Sequence, residues 1–382
     1  MGDLRYLVVD PANMPTVGDP DVYLNAALED IVVNFPPRSR YPNESLHGLW
    51  GGPTGMAYLL LQVSQIRPDL TIKDKPADYW ARGYVSCPGA RGHCLRLGSH
   101  GCGIADERLA FEAVRSAITK DLQDVRQFIS SVSQIIPAED YSDELVYGRC
   151  GTLYLLRMVR HFVPSSNALV DPAIAEITNT VLSRGPLWEW HGRRYYGAMH
   201  GDIGIVTQLI LTSPELAPRL QPVVEKLLGL QQTDGNWASS AEKSNGGKGL
   251  VQVCHGAPGF VISLYALRKH FPELEERIDV AIKRARECIR SQGLLKKEPS
   301  LCHGIFGNAL ALAAGPERER FLGIATPKNV ARMKASDATG TIFQRSDNNR
   351  SYSTFCSYTP SAVWTWMLCR EEEPRMLLFS DV

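Results

Sequence analysis

A short phrase built on two glycines returns about every 50 residues along the chain, and no other feature of the sequence constrains the fold as strongly. In its clear form the phrase is Gly-x-x-Gly, often with His before it and an apolar run after it. The clear copies are GGPTGMAYLLL (51–61), YGRCGTLYLL (147–156), HGDIGIVTQLI (200–210), HGAPGFVISL (255–264) and HGIFGNALAL (303–312). Two weaker copies are SHGCGIADERLAF (99–111) and STFCSYTPSAVWTW (353–366). The chain therefore has a seven-fold repeat.

One position in each copy, called the repeat position below, marks the register. The repeat positions are Gly52, Gly101, Gly148, Gly201, Gly256, Gly304 and Ser357, with intervals of 49, 47, 53, 55, 48 and 53 residues. Apolar residues then recur at helical spacing, as in Ile205, Val206 and Leu209, so each phrase opens an apolar helix. A more amphipathic helix candidate precedes each phrase.

Seven helix pairs, one buried and one exposed in each pair, predict an all-α fold. We expect about fourteen helices in a closed, double-layered ring, an α/α toroid, with residues 1–382 as a single domain of seven repeats. Closure is favoured over an open solenoid because the inner helices are too apolar to line a wet concave surface. The glycines then allow close backbone approach and positive φ at a crowded axis.

Composition excludes several classes of partner. Lys plus Arg and Asp plus Glu both number 41, and no basic tract stands out, so nothing favours nucleic acid or an anionic membrane surface. No apolar run reaches the length of a membrane span. Nine scattered cysteines, an odd number, favour a reducing cytoplasm with free or metal-bound thiols over a disulfide framework.

Two cysteines occupy equivalent places in neighbouring repeats, and they predict a metal site. Cys254 directly precedes His255 in the fifth repeat, and Cys302 directly precedes His303 in the sixth. Equivalent loops of a ring converge at one end, so Cys254, Cys302 and His303 make a three-ligand set that leaves one tetrahedral position open, as in a catalytic zinc site. The alternative is that both cysteines are buried packing residues. His255 has the same local position as His303, and the sequence does not decide between the two.

The chain resembles the lanthionine synthetase C-like proteins, and their eukaryotic branch more than the bacterial peptide cyclases. The resemblance rests on YGRCGTLYLLR, GAMHGDIGIVTQL, the stretch from LQQTDGNWASS to VQVCHGAPG, and LCHGIFGNA, and it spans essentially the full length. It implies a seven-fold α/α barrel with one Zn²⁺ bound by Cys254, Cys302 and His303. It further implies that a thiol, most simply glutathione, is activated for addition to dehydroalanine or dehydrobutyrine residues of proteins or peptides.

Three further roles follow from the resemblance and the chemistry. His200 matches the family's histidine that protonates the enolate after sulfur addition, a step suited to a group with a pKa near operating pH. Lys297 stands where eukaryotic relatives carry Lys, and it either binds a substrate carboxylate, steadies the enolate, or is an ordinary solvated lysine. Asn308 is assigned to support around the ligands or to hydrogen bonding at a helix start.

Departures from the family pattern leave other functions open. Val253 replaces the usual Trp, the second repeat is altered over residues 98–103, and Cys356 in the seventh repeat replaces an acidic residue. These changes leave open the shape of the substrate site and whether the last repeat closes onto the first. One alternative is a zinc-stabilised scaffold that binds glutathione or a partner without turnover. Another is a cyclase of peptides or specialised metabolites, of the lanthionine type.

Overall fold

Helices dominate the computed structural model, which describes residues 4–9, 15–87, 97–98, 101–243, 249–345, 352–373 and 375–382. The helices in these ranges are α1 (Pro20–Asn34), α2 (Gly52–Ile66), α3 (Ala77–Val85), α4 (Glu107–Thr119), α5 (Leu122–Ile135), α6 (Arg149–Phe162), α7 (Asn167–Arg184), α8 (Asp202–Thr212), α9 (Ala217–Gly229), α10 (Ala257–Leu267), α11 (Glu275–Gln292), α12 (Ile305–Ala311), α13 (Pro316–Ile324), α14 (Pro327–Ser336) and α15 (Tyr358–Leu368). Two short strands, β1 (Thr71–Ile72) and β2 (Lys75–Pro76), pair as an antiparallel hairpin. The all-α prediction is confirmed.

The repeat phrases open the inner helices, α2, α4, α6, α8, α10, α12 and α15. Six of these begin at the repeat position or one residue after it. Every residue of α12 is buried, as is every residue of α2 from Gly52 to Val63. In the outer layer, α11 buries only one face, which includes Ile278, Ile282 and Ile289. The double-layered ring predicted from helical spacing is therefore present.

Two local breaks change the helix positions expected from a regular repeat. In the second repeat the inner helix starts late, at Glu107, where the Asp106 side chain caps it by accepting from the Leu109 N–H at 2.9 Å. In the sixth repeat α13 and α14 take the place of a single outer helix. The second of these helices begins at Pro327, and Thr326 before it is extended with ψ 149°, as the residue before a proline prefers.

Backbone hydrogen bonds join the loops that precede neighbouring inner helices and close the ring. Cys254 N–H donates to the Cys302 carbonyl at 3.2 Å, and Cys302 N–H donates to the Phe355 carbonyl at 2.8 Å. The seventh repeat is joined to the first in the same way, because Thr354 N–H donates to the Trp50 carbonyl at 3.1 Å. The altered seventh repeat therefore keeps its place in a closed ring.

The end of the ring away from these loops is filled by the segment 376–382. The Asp381 carboxylate accepts hydrogen bonds from the Tyr58 and Tyr154 hydroxyls, both at 2.7 Å. Gln208 donates to the Leu378 carbonyl at 2.7 Å and Arg157 to the Phe379 carbonyl at 3.3 Å. These partners lie on the middle turns of α2, α6 and α8, so the segment packs against the inner helices on the side away from the repeat loops. Within the described ranges, none of the helices combines the length and apolar character needed to cross a bilayer.

Candidate metal centre

Two thiols and an imidazole meet where the loops of the fifth and sixth repeats converge. The ligand atoms of Cys254, Cys302 and His303 all lie within 4.8 Å of one another. Both cysteines are buried, with 7% and 3% of their surface exposed. Sulfur and imidazole nitrogen at this separation form a donor set that suits zinc. The cluster predicted from the repeat register is thus assembled by the fold.

The loop before α10 is held in a conformation that only glycine adopts easily. Gly256 has φ +111°, and a Cβ there would lie 1.9 Å from the Leu250 carbonyl oxygen. Asn236 caps the helix from another loop, because its side-chain oxygen accepts from the Ala257 N–H at 2.8 Å. The backbone that follows Cys254 is therefore fixed, which limits the directions its sulfur can take.

The residue directly before a repeat position, called the leading residue below, turns toward the preceding repeat in the fourth, fifth and sixth repeats. His303 hydrogen-bonds to Cys254 of the fifth repeat. His255 turns instead toward the fourth repeat, where its ring centre lies 5.7 Å from that of Tyr195 and 5.9 Å from that of His200. Gly197 makes room there, since a Cβ at that position would lie 3.0 Å from the His255 Nδ1. This geometry explains why His303 joins the cluster and His255 does not.

Hydrogen bonding within the cluster makes Cys254 the natural thiolate. The hydrogen bond with Cys302 holds the pKa of Cys254 well below that of an ordinary thiol, although burial opposes the shift. The neighbouring His255 has its pKa lowered by burial, which favours the neutral imidazole. Its Nδ1 is buried and has no hydrogen-bond partner among the described residues.

Gln252 connects the cluster to Lys297. The Gln252 amide donates to the Cys254 sulfur at 2.9 Å, and its oxygen accepts from the Lys297 ammonium group at 3.2 Å. Lys297 itself is exposed, while Gln252 is buried. The charge of Lys297 is therefore held beside the cluster by Gln252, which itself contacts the Cys254 sulfur. Lys297 nevertheless remains open to solvent.

His200 is oriented by a buried carboxylate. Its Nδ1 lies 2.7 Å from Glu144 Oε2, and only 1% of the Glu144 side chain is exposed. The same carboxylate accepts from the backbone N–H of Val146 at 2.9 Å and from that of Tyr147. As the acceptor of these bonds, Glu144 places the proton of His200 on Nδ1 and leaves Nε2 for another partner.

An aromatic stack fixes the plane of the His200 ring. The Trp190 ring lies 4.1 Å from the His200 ring, centre to centre, with an angle of 5° between the planes. Tyr147 is parallel to Trp190 at 6.1 Å. Trp190 reaches this place through a tight turn in which its backbone exchanges two hydrogen bonds with Arg193. Stacking and the Glu144 contact together leave the imidazole one orientation.

Asn308 holds the backbone of neighbouring loops by hydrogen bonds, and Val253 contributes by packing. The buried Asn308 amide donates to the carbonyls of Val251 and Gly293, both at 2.9 Å, so it ties the loop that leads to Cys254 but touches no ligand side chain. Val253 is fully buried, and a Cβ on Gly307 would lie 2.7 Å from its methyl group. Val253 therefore packs closely against Gly307.

Glu144, Gln252 and Trp190 were missed by reasoning from the sequence. Glu144 and Gln252 both stand four residues before a repeat position, Gly148 and Gly256, so the repeat register carried a signal that polar residues there face the site. Trp190 lies outside the phrase, in a turn between α7 and α8, and no spacing rule points to it.

Comparison with known proteins identifies a family and a fold to which this chain is similar. Residues 48–315 match the family model of lanthionine synthetase C-like proteins. The chain is 28% identical over 286 residues to glutathione S-transferase LANCL1 of Danio rerio, covering 69% of this chain and 68% of that protein. It is 29% identical over 184 residues to LanC-like protein GCL1 of Arabidopsis thaliana, covering 44% and 41% of the two chains. The solved structure of nisin cyclase superposes with a TM-score of 0.55 at 15% identity, over 90% of this chain and 93% of that one.

Proposed function

The chain belongs to the lanthionine synthetase C-like family, and from that membership and the site geometry we propose that it forms C–S bonds by adding a thiol to dehydroalanine or dehydrobutyrine residues of proteins or peptides. The relative named glutathione S-transferase supports glutathione as the thiol. The observation that carries the proposal is the convergence of Cys254, Cys302 and His303 within 4.8 Å, near a histidine held by a carboxylate.

The donor set suits one zinc ion per chain. Two thiolates and one imidazole are the ligand types zinc prefers, and three protein ligands leave a position for substrate. When bound, zinc would favour the thiolate form of a coordinated thiol and so supply the nucleophile. Gln252, which donates to the Cys254 sulfur, fixes the direction of that ligand.

His200 supplies the proton that completes the addition. Attack of sulfur on the β-carbon leaves an enolate, which must gain a proton at the α-carbon. Protonated on both nitrogens, His200 gives up the Nε2 proton, while Glu144 stabilises the imidazolium through the 2.7 Å contact at Nδ1. Trp190 keeps the ring in the required plane. A binding scaffold would have no need of such an oriented acid, so this pair favours the enzyme over the scaffold.

Lys297 binds a carboxylate of the thiol substrate. Its ammonium group is exposed, yet it is held 3.2 Å from Gln252, which itself contacts the Cys254 sulfur. A tripeptide with two carboxylates can thus direct its sulfur to the cluster while one carboxylate meets Lys297. The cyclase alternative needs no such contact, since the thiol then belongs to the peptide itself.

Metal analysis of cysteine variants tests the site. We expect about one zinc per chain in the purified protein, and loss of that zinc in Cys254→Ala and Cys302→Ala. Cys288→Ala, which removes a buried thiol from outer helix α11, is the matched control and keeps its zinc. Helical content is unchanged in all three because apolar helices build the ring. Zinc retained in both cluster variants would contradict the proposal.

A further inference from the structure

A second imidazole lies beside His200 at the candidate site. It belongs to His255, the leading residue of the fifth repeat, which directly follows Cys254 in the chain. The His255 ring centre lies 5.9 Å from that of His200, with 29° between the two planes. Both histidines are partly exposed, whereas Cys254 and Cys302 are buried. Two imidazoles therefore stand side by side next to the cluster, at a place that solvent reaches.

The two nitrogens of the His255 ring have different surroundings. Nδ1 is buried and has no hydrogen-bond partner among the described residues. It lies against Gly197, where a Cβ would come within 3.0 Å of it. Because a buried N–H without an acceptor is rare in folded proteins, the proton of the neutral ring belongs on Nε2. Nε2 is then a donor, and it makes no hydrogen bond within the part of the chain that the structure describes.

The proposed addition needs a donor in this place. When sulfur bonds to the β-carbon, the electron pair of the C=C bond shifts toward the carbonyl group, and negative charge collects on the carbonyl oxygen. His200 then gives its proton to the α-carbon, which removes that charge. The oxygen is only two bonds from the α-carbon, so a donor that meets it must lie beside both His200 and the cluster. His255 meets this condition.

We infer that the Nε2–H of His255 donates a hydrogen bond to the carbonyl oxygen of the dehydroamino acid and stabilises the enolate. The inference deepens the proposed function and rests on it. His255 keeps its proton throughout the reaction, and its contribution grows as the oxygen becomes charged. A donor fixed in advance toward a developing oxyanion is a strong form of catalysis.

The partners of the two histidines fit this division of roles. Glu144 lies 2.7 Å from Nδ1 of His200, so the imidazolium that must give up a proton has a carboxylate to stabilise it. His255 has no carboxylate partner among the described residues, and its Nδ1 faces the backbone of Gly197 instead. His200 is therefore arranged to release a proton, and His255 to share one.

Two substitutions that differ in a donor test the inference. At position 255, Gln carries an amide N–H near the place of Nε2, whereas Leu has similar bulk and no donor. With glutathione and a dehydroalanine peptide, His255→Leu should lower kcat by about 10²-fold, the usual effect of losing one oxyanion donor, and His255→Gln should stay within about tenfold of wild type. Both variants should keep their zinc. His161→Leu, at an exposed position of α6, should match the wild type.

The configuration of the product gives a readout that a purely structural role would not change. An enolate held by its oxygen presents one face to His200, so the wild type and His255→Gln should give mainly one epimer at the new α-carbon centre. Without the donor the enolate can turn before it is protonated, and His255→Leu should give both epimers. The two adducts are diastereomers, which reversed-phase chromatography separates.

The outcomes separate this inference from the proposed function. Formation of no adduct by the zinc-containing wild type would overturn both. An active wild type and a His255→Leu variant with the same kcat and epimer ratio would overturn the inference alone. A slow His255→Leu variant that loses its zinc, that keeps the wild-type epimer ratio, or whose loss Gln does not restore would also contradict it, because His255 would then act by supporting the loop.

Discussion

Side chains at the candidate site are fixed by residues of the preceding repeat as much as by their own. His200 of the fourth repeat is held by Glu144 of the third, and His303 of the sixth by Cys254 of the fifth. Each of these contacts therefore joins two side chains that lie about 50 positions apart in the sequence. Substitutions at the site should accordingly separate metal binding, proton transfer and thiol recognition.

Removal of His200 should slow proton transfer and leave metal binding intact. We expect His200→Ala to keep its zinc and lose about 10²-fold in the rate of glutathione addition to a dehydroalanine peptide, the usual effect of losing a general acid. Glu144→Gln should lose less, about tenfold, because the ring stays oriented while the imidazolium loses its charged partner. His161→Ala, an exposed histidine on α6, is the control. Loss of zinc from His200→Ala would show that His200 is a ligand or a structural cap.

Lys297 should discriminate between thiols. Lys297→Ala should raise the KM for glutathione about tenfold, the effect of losing one charge-assisted contact, and should leave the KM for mercaptoethanol almost unchanged. Steady-state kinetics with both thiols, and Lys296→Ala as the neighbouring control, measure this. Equal losses with the two thiols would remove Lys297 from the thiol site and assign it to the enolate or to structure.

The inner helices could be predicted from the sequence, but several of the segments that connect the helices could not. Apolar spacing after each repeat phrase marked six helix starts to within a residue, and the register brought Cys254, Cys302 and His303 together. The late start of α4, the break at Pro327 and the Trp190 turn depend on local contacts that carry no period. Glu144 was missed although its place four residues before a repeat position is periodic, because its role depends on a hydrogen bond across two repeats.

The segment 376–382 also escaped prediction, and it should stabilise the far end of the ring. The Tyr58 and Tyr154 hydroxyls also lie 2.6 Å from each other, so Asp381→Ala leaves one of these two buried hydroxyls without an acceptor, which should lower the free energy of unfolding by about 1–3 kcal/mol. Asp381→Asn keeps an acceptor oxygen and should lose much less. Urea unfolding of the two variants measures the difference. A fully stable Asp381→Ala protein would mean that the segment fills space without contributing through this carboxylate.

The whole ring buries acidic groups where its inner helices start, which makes its stability depend on pH. Burial raises the pKa of Asp106 and of Asp202 to about 6 in the folded protein, from 3.8 in an unfolded chain. The folded state therefore binds more protons between these values. The contribution of each group to stability is present below about pH 4 and is lost as the pH rises toward about 6.

Asp106→Asn should flatten this pH dependence. The amide oxygen keeps the bond from the Leu109 N–H, but the amide nitrogen cannot accept from the Gly98 N–H, which bonds the second carboxylate oxygen at 3.0 Å, so the variant should lose a pH-independent amount of stability. Because the amide cannot ionise, the stability of the variant relative to wild type should rise by about 1–3 kcal/mol between about pH 4 and about pH 6.5. Asp121→Asn, at the exposed cap of α5, should change little. Urea midpoints across this range measure the effect, and parallel curves for wild type and Asp106→Asn would refute it.

One experiment tests whether thiol addition by this protein depends on zinc. Purified protein is stripped of metal and divided into two samples, one of which receives one equivalent of Zn²⁺. Both samples are incubated with glutathione and a dehydroalanine peptide. The mass of the peptide is then measured by mass spectrometry. We predict that only the zinc-containing sample converts the peptide to its glutathione adduct, at a rate well above that of the zinc-only control without protein. Equal conversion with and without zinc, or none in either, would contradict zinc-dependent thiol addition by this protein.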